Sequence, residues 1–141
     1  MRSLASYVAK LKLLQPTSAD FWDEDFANYW AVLHGLQLAA QHVIDIANHI
    51  LAAQSLAAPS DYKEAIVELG RNHILPMDFA TQISEMAGFR NVVVHRYLTV
   101  DPLRVLNILQ NHLDDFNVFS EHIYDYLRRE GHLPQSESKP E

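Results

Sequence analysis

The sequence predicts an all-α protein, an up-and-down bundle of about five helices. Over most of its 141 residues, apolar side chains recur every three or four positions, as they do along one face of a helix, and alternation with a period of two is confined to brief runs. Hydrophobic residues make up 48% of the chain and only four residues are glycine, which favours a compact and regular fold. We expect one helical domain over residues 1–133 and a disordered polar tail over residues 134–141.

The first two helices are predicted over residues 2–14 and about 20–54. Pro16 ends the first helix because proline lacks an N–H donor and clashes with the preceding turn. Ser18 or Asp20 can cap the second helix. A helix as long as the second must be largely covered by other helices or lie along a dimer interface.

The next two helices are recognised by their end signals. The third begins at Asp61 and is expected to end at about Gly70 or Asn72, because glycine commonly follows the last turn of a helix. Pro76 occupies a tolerated first-turn position of the fourth helix. Three consecutive valines, 92–94, by themselves favour a strand. We predict that the fourth helix continues through them because all of the surrounding sequence is helical.

A last helix is predicted from Pro102 to about Gly131. Asp101 is a capping residue, and Pro102 suits the first turn of a helix. Apolar residues then recur at helical spacing as far as position 127, and Gly131 ends the helix. The pattern leaves no segment for a second domain.

The composition excludes several classes of protein. The chain has no cysteine, so it forms neither disulfides nor thiolate metal sites. No stretch reaches the roughly 20 apolar residues that a transmembrane helix needs. Lys10 and Lys12 interrupt the apolar N-terminal run, which indicates an amphipathic helix rather than a signal peptide. We therefore expect a cytoplasmic protein that does not act at a membrane.

The charge balance limits how the chain can meet nucleic acid. Eleven basic and 18 acidic residues give a net charge of −7 with neutral histidines. A protein that coats nucleic acid would be basic, so the charge argues against that class, and we expect no DNA partner. An enzyme that grips RNA in one local basic cleft is still compatible with this charge. A basic surface on a protein partner is also compatible with it.

The segment from Gly88 to Pro102 holds the strongest functional signal, the pattern R-x4-H-x-Y. Its members Arg90, His95 and Tyr97 interrupt an apolar run that otherwise has the pattern of helical core. Burial of an arginine charge without a partner is costly. A cation, an imidazole and a phenol within eight residues therefore indicate a site.

Helical geometry gives these residues a defined arrangement. Arg90 and Tyr97, seven residues apart, lie almost one above the other, whereas Asn91 and His95 lie one turn apart on the neighbouring flank. Asn91 can therefore hydrogen-bond a ring nitrogen of His95 and fix its tautomer. A twofold dimer that pressed this helix against its copy would gather two arginines and two histidines around one groove.

Such a groove could cleave RNA without a metal or another cofactor, because the ribose 2′-hydroxyl is a nucleophile that the substrate already contains. The imidazole of His95 can act as general acid and base near neutral pH. Arg90 can hold the phosphate and stabilise the extra negative charge of the transition state. Tyr97 could contact RNA.

A structural interpretation of the same residues stays open. Arg90 could be paired with Asp45 or Glu85, and His95 could be a capped histidine of an interface. Asp45 lies in an otherwise apolar helical row. From there its carboxylate either reaches Arg90 or His95, or it is exposed at the boundary of the core.

Two other clusters have competing interpretations. His42, Asp45 and His49 have a spacing that could present metal ligands on one face, but the chain has no HExxH-like arrangement, and we predict no metal site. Four aromatic residues gather near the start of the second helix, and we interpret them as core and dimer packing, with base stacking as the alternative. They are Trp22, Phe26, Tyr29 and Trp30.

The pattern Arg90-Asn91-x-x-x-His95-x-Tyr97, with an apolar helix before it and a Val-Asp-Pro helix start after it, resembles the HEPN superfamily. Within that superfamily the chain is most similar to the HepT-type toxins of bacterial and archaeal two-gene toxin–antitoxin pairs. Asp45, in its alanine-rich row over residues 36–51, resembles the long second helix of those toxins. The resemblance extends over about residues 4–130.

This resemblance implies a HEPN-like homodimer and a metal-independent endoribonuclease without a cofactor. Arg90 and His95 would be its catalytic residues, at a cleft on the dimer axis, with Asn91 and Asp45 in supporting positions. The implied partner is an MntA-like minimal nucleotidyltransferase antitoxin, which would neutralise the toxin by adding AMP to Tyr97. The implied substrate is RNA.

The alternative function is a non-catalytic helical subunit that presents a substrate, or itself, to a minimal nucleotidyltransferase. The complete set of motif residues favours the ribonuclease, whereas the acidic charge favours the binding subunit. A third hypothesis, a plain dimeric scaffold, leaves the polar motif without a role. A nucleotidyltransferase gene beside this one would support either of the first two hypotheses over the third.

Overall fold

The computed structural model describes the backbone of residues 2–13, 26–54, 61–96 and 101–131, and the side chains of residues 4–13, 27–54, 61, 63–90 and 101–131. These stretches form six helices and contain no strand, which confirms the all-α prediction. The helices are α1 (Arg2–Leu13), α2 (Phe26–Ala53), α3 (Tyr62–Arg71), α4 (Met77–Arg96), α5 (Pro102–Asn111) and α6 (Leu113–Arg129). Several predicted features lie outside the described residues, namely Pro16, the caps at 18 and 20, Trp22, Tyr97 and the polar tail.

The described residues form six helices where about five were predicted, because the predicted last helix is two helices that meet at His112. The backbone of His112 has φ −127° and ψ 3°, outside the helical range. Its N–H still donates to the carbonyl of Ile108 at 2.8 Å, and its own carbonyl accepts from the N–H of Asp115 at 3.1 Å. The apolar spacing continues across this break, so the periodicity alone contains no sign of it.

Helices α1 and α2 pack antiparallel. The ring of Tyr7 stacks on that of His42 with 5.2 Å between the centroids and 15° between the planes. One turn further along α1, Leu11 lies against Gly35, where a Cβ atom would come within 2.8 Å of the leucine Cδ2. Positions later in α1 therefore meet positions earlier in α2.

Helices α4 and α6 are antiparallel as well. The rings of Phe79 and His122 lie 5.5 Å apart, and Gln82 donates to a carboxylate oxygen of Asp115 at 2.8 Å. The end of α1 also meets the start of α6, where Lys12 binds Asp114 at 2.9 Å. This hydrogen bond to Lys12 lowers the pKa of the Asp114 carboxyl. The helices α1, α2, α4 and α6 thus form an up-and-down bundle.

The bundle has two ends that are referred to below. The motif end contains the ends of α1 and α4 and the starts of α2, α5 and α6. The start of α5 lies beside α4 at this end, because the guanidinium of Arg104 lies 5.2 Å from the ring centroid of Phe89. Burial, and after it the charge of Asp101, raises the pKa of Tyr29 at the start of α2. The far end contains the start of α4 and the ends of α2, α3 and α6, where Gln54 donates a hydrogen bond to the hydroxyl of Tyr126.

Helix α2 is covered by other helices, as its length predicts, because α1, α3, α4 and α6 all pack against it. Its buried positions recur at helical spacing, and α4, α5 and α6 add three buried phenylalanines and further aliphatic side chains to the same core. The buried residues of α2 include Val32, Leu36, Ala39, Val43, Ala47 and Ile50. Among the described helices, none is long and apolar enough to cross a membrane.

The local end signals agree with the structure. A carboxylate oxygen of Asp61 accepts from the N–H of Glu64 at 2.8 Å at the start of α3, and Asp101 accepts from the N–H of Leu103 at 3.0 Å at the start of α5. Helix α4 continues through the three valines to Arg96, which confirms helix over strand.

Helix α3 ends within the predicted range, because Asn72 is its C-cap, and Gly70 itself lies inside the last turn. The helix continues to Arg71, and the left-handed position belongs to His73, with φ 61°. A Cβ atom on Gly70 would lie 2.9 Å from the Cβ of Ala80 and 3.0 Å from the sulfur of Met77. The glycine therefore allows α3 and α4 to approach closely.

Replacement of Gly70 by alanine is expected to lower the free energy of unfolding, because overpacking costs about 1–3 kcal/mol and the better helix propensity of alanine returns at most ~1 kcal/mol. Urea unfolding measures this change. The loss should be smaller when Ala80 is glycine, since the opposing methyl group is then absent. An equal loss in both backgrounds would contradict this account of the contact.

Candidate active site

Three of the four motif residues lie on one unbroken helix. Arg90, Asn91 and His95 all lie in the last two turns of α4, and Tyr97 follows its end, outside the described residues. Five helical residues separate positions 90 and 95 by about 7.5 Å along the axis and about 140° around it. Positions 91 and 95 lie about one turn apart on one flank. The side chains of Asn91 and His95 are outside the described set, so their mutual contact stays a prediction.

Arg90 is half-buried, and its Nε atom is buried without a hydrogen-bond partner. An unsatisfied buried donor costs roughly 1–3 kcal/mol, so such atoms in a folded protein call for an explanation. Within the described part of the chain, Arg90 forms no ion pair, and neither Asp45 nor Glu85 reaches it. The guanidinium is therefore a cation that the described residues leave unmatched and that an anionic ligand could bind.

Asp45 is exposed on α2 and is held by its own helix. The side-chain amide of Gln41 donates to the carboxylate of Asp45 at 2.8 Å. The other side-chain atom of Gln41, Oε1, is buried without a partner. The two such atoms in the described side chains are this acceptor on α2 and the Arg90 donor on α4, two helices that pack together. Sequence reasoning missed Gln41, whose signal is the Gln–Asp pair four residues apart.

A second arginine lies beside the motif. The guanidinium carbon of Arg104, in the first turn of α5, lies 5.2 Å from the ring centroid of Phe89, and this ring is only 2% exposed. Such a position over an aromatic face is favourable for a cation. The sequence alone does not distinguish Arg104 from other exposed arginines. The signal that could have identified it is the helix cap at Asp101, because it starts a new helix only a few residues after the motif.

The other candidate residues are dispersed. His42 stacks on Tyr7, and His49 is exposed on α2. Across the described ranges, no group of three or more histidine, cysteine, aspartate or glutamate side chains could hold a metal ion. In the aromatic cluster, Tyr29 is buried while Trp30 is 52% exposed. Trp22 and the side chain of Phe26 lie outside the described set. Packing therefore accounts for Tyr29.

Comparison with known proteins identifies relatives of this fold and motif. The model of the family described as "Ribonuclease HepT-like" matches residues 4–123. The mRNA nuclease HepT of Shewanella oneidensis is 32% identical over 96 residues, which cover 68% of this chain and 72% of the relative. The tRNA nuclease HepT of Aphanizomenon flos-aquae is 32% identical over 124 residues, which cover 88% of this chain and 84% of the relative.

A solved structure agrees with the sequence relatives. The tri-AMPylated HEPN toxin of Shewanella oneidensis, in complex with its MNT antitoxin, superposes with a TM-score of 0.80 at 26% identity. The superposition covers 88% of this chain and 92% of the toxin chain. With the family model matching most of its length, the chain belongs to the HepT-like ribonuclease family.

Proposed function

We propose that this protein is the toxin of a toxin–antitoxin pair, a metal-independent endoribonuclease whose active site is formed by Arg90 and His95. The observation that carries the proposal is the half-buried Arg90, with an unpartnered Nε, five residues before His95 on the same continuous helix. Two relatives with 32% identity are nucleases of mRNA and tRNA, which supports RNA as the substrate class.

The chemistry needs no group beyond these side chains and the substrate. The ribose 2′-oxygen attacks the adjacent phosphorus while an imidazole of His95 removes its proton. Arg90 binds the non-bridging oxygens, whose negative charge grows in the pentavalent transition state. The bond to the 5′-oxygen breaks, and protonated imidazole returns a proton to this leaving group. The products are a 2′,3′-cyclic phosphate and a 5′-hydroxyl.

Asn91 and Asp45 take supporting roles in this proposal. Asn91 stands one turn before His95 and would orient its ring. Asp45 is bound by Gln41 on α2 and would need to turn toward the motif to support it directly. Asp45→Asn keeps an oxygen that can accept the hydrogen bond from Gln41. This replacement should therefore reduce the rate of cleavage far less than Arg90→Ala does.

A homodimer would complete the site. Helix α4 presents its motif at the end of the bundle rather than in its interior, and one copy supplies a single arginine–histidine pair. A twofold axis beside the end of α4 would bring two pairs to one groove, so that one imidazole could remove a proton while the other donates one. Light scattering of the purified protein tests this assembly.

The proposed partner is a minimal nucleotidyltransferase, because the structural relative is a tri-AMPylated toxin in complex with an MNT antitoxin. Tyr97 follows α4 directly and is the hydroxyl we assign as the acceptor. AMP attached there would add bulk and negative charge beside Arg90 and exclude the RNA phosphate. The antitoxin would thus inactivate the site by modifying a residue next to it.

Replacement of Tyr97 by phenylalanine is expected to abolish AMP transfer, because phenylalanine keeps the ring and lacks the nucleophilic oxygen. Intact-mass spectrometry after incubation with the antitoxin and ATP checks this. Tyr124 is a suitable control, since it is an exposed tyrosine on α6, and its replacement by phenylalanine should leave the adduct unchanged. An adduct on the Tyr97 variant would assign the acceptor to another residue.

The function is tested by incubating the purified, unmodified protein with a mixed RNA pool in EDTA. Cleavage with 2′,3′-cyclic phosphate ends would support the metal-independent mechanism. Absence of cleavage by a folded protein, together with retained binding to the nucleotidyltransferase, would favour the non-catalytic subunit instead.

A further inference from the structure

The far end of the bundle contains an open pocket of about 860 Å³ between the α3–α4 turn and the end of α6. Three of the seven arginines in the sequence line it, Arg71, Arg128 and Arg129, against one lining carboxylate, Asp125. Two histidines join them. This concentration of cationic side chains stands out in a chain whose net charge is −7.

Contacts with neighbouring side chains hold the arginines at the end of α6 in place. A guanidinium nitrogen of Arg128 lies 3.1 Å from a carboxylate oxygen of Asp125. The guanidinium of Arg129 lies 5.9 Å from the ring centroid of Tyr126 and has no carboxylate partner among the described residues. A planar guanidinium that is already positioned loses less freedom when it binds an oxyanion.

The third arginine, Arg71, is bound by two carboxylates that lie outside the pocket. One nitrogen of Arg71 contacts the carboxylates of both Glu64 and Glu68, which belong to the same helix, α3. Neither glutamate lines the pocket, whereas Arg71 does. The positive lining of the pocket therefore depends chiefly on α6.

The floor of the pocket is apolar and flat ring systems border it. Ile74 and Leu75 are buried below it, and Met77 is 44% exposed at its edge. His73 adopts the left-handed conformation, where glycine or asparagine is usual, and so places an imidazole beside the opening. His122 supplies a second ring. Guanidinium groups beside an apolar floor with rings match a nucleotide, which pairs a phosphate with a flat base.

We propose that this pocket binds one nucleotide of the RNA substrate, with its phosphate at Arg128 and Arg129 and its base over Met77. The inference rests on the proposed function and adds a second RNA contact to it. The volume suits such a ligand, since small-molecule sites occupy roughly 300–1,000 Å³. An acidic protein segment could bind the arginines, but it would make no contact with the apolar floor. The floor therefore favours a nucleotide over such a segment.

The pocket lies a defined distance from the motif. Thirteen helical residues separate Met77 from Arg90 along α4, which corresponds to about 20 Å. In a stacked strand, at about 3.4 Å per nucleotide, this distance spans roughly six nucleotides. Only RNAs that extend at least this far from the cut can therefore bind the pocket and the motif at the same time.

The test measures binding with the RNA-cleavage step removed, in a His95→Ala background. Fluorescence anisotropy compares a 5′-labelled RNA of about 20 nucleotides with one of about four, which cannot span the two sites. The double change Arg128→Ala/Arg129→Ala is expected to weaken binding of the long RNA about tenfold and to reduce the slope of log affinity against log salt by about 0.7, the value for one phosphate contact on a single strand. The loss should be smaller for the short RNA, which can occupy only one of the two sites at a time.

A matched control removes the same charge elsewhere. Lys10→Ala/Lys63→Ala takes two exposed cations from α1 and α3 and should leave the long RNA within twofold of its original affinity. Circular dichroism checks folding, and the single change Arg129→Glu gives a second variant at an exposed position. The proposal would be overturned if the pocket variant and the control variant bound long RNA with equal affinity. It would also be overturned if the pocket variant lost only its binding to the antitoxin. A third contrary result would be that free AMP binds the pocket while the pocket variant keeps its full affinity for long RNA.

The outcomes separate this inference from the proposed function. If the native protein binds long RNA through Arg128 and Arg129 but never cleaves it in EDTA, the pocket stands and the ribonuclease assignment fails. If it cleaves RNA and the pocket variants bind normally, the pocket alone is refuted. If it neither binds nor cleaves RNA, both are refuted.

Discussion

Replacement of His95 by alanine is expected to reduce kcat for RNA cleavage by about 10³-fold, within the 10²–10⁴-fold range that a positioned acid or base contributes. Alanine removes the group that accepts the proton of the 2′-hydroxyl and returns one to the 5′-oxygen. Binding of RNA should be nearly unchanged, because the arginines remain. Initial rates with a labelled oligonucleotide in EDTA measure the effect.

The matched control is His49→Ala, which removes an exposed histidine from α2 and should leave kcat within twofold of the original. If the His95 variant cleaves as fast as the native protein, His95 is not the acid or base and the proposed mechanism is wrong. Arg90→Ala should cost about 10²–10³-fold through lost charge stabilisation. Arg90→Lys should recover only part, since lysine cannot hold two phosphate oxygens at once.

Replacement of Phe89 by alanine is expected to lower the free energy of unfolding by about 3–5 kcal/mol, the usual cost of deleting a buried phenylalanine ring. The ring is 2% exposed on α4, next to Arg90, and it also supports the guanidinium of Arg104. The loss should appear as a lower urea midpoint at fixed protein concentration with an unchanged slope.

The appropriate comparison is Arg104→Ala, which removes the cation and keeps the ring. An exposed cation–π contact contributes only about 0.5–1 kcal/mol, so this variant should remain close to the native stability. If both variants lost equal stability, the contact with Arg104 rather than burial in the core would dominate the contribution of Phe89.

Features that depend on local sequence were predictable. The carboxylates of Asp61 and Asp101 cap their helices because a cap involves residues only two or three positions apart. The helical continuation through valines 92–94 was predictable from its surroundings, which override a weak strand preference. The position of the motif at the end of a long helix follows from the same pattern.

Features that depend on contacts between distant residues were not predictable. Gly70 has the sequence context of a helix end, yet it is required by the approach of Ala80 on the next helix. The Phe89–Arg104 contact and the arginine pocket join residues that only the bundle brings together. The break at His112 leaves the apolar spacing intact, so periodicity does not reveal it.

Because α4 runs without interruption from the pocket to the motif, the two places are fixed in rotation as well as in distance. One residue inserted between Met77 and Arg90 would turn the motif by about 100° and move it by only about 1.5 Å. It would thus direct Arg90 away from the groove while leaving every side chain chemically unchanged. Length changes between related chains should therefore fall outside α4, and a chain with an altered α4 would need a compensating rotation elsewhere.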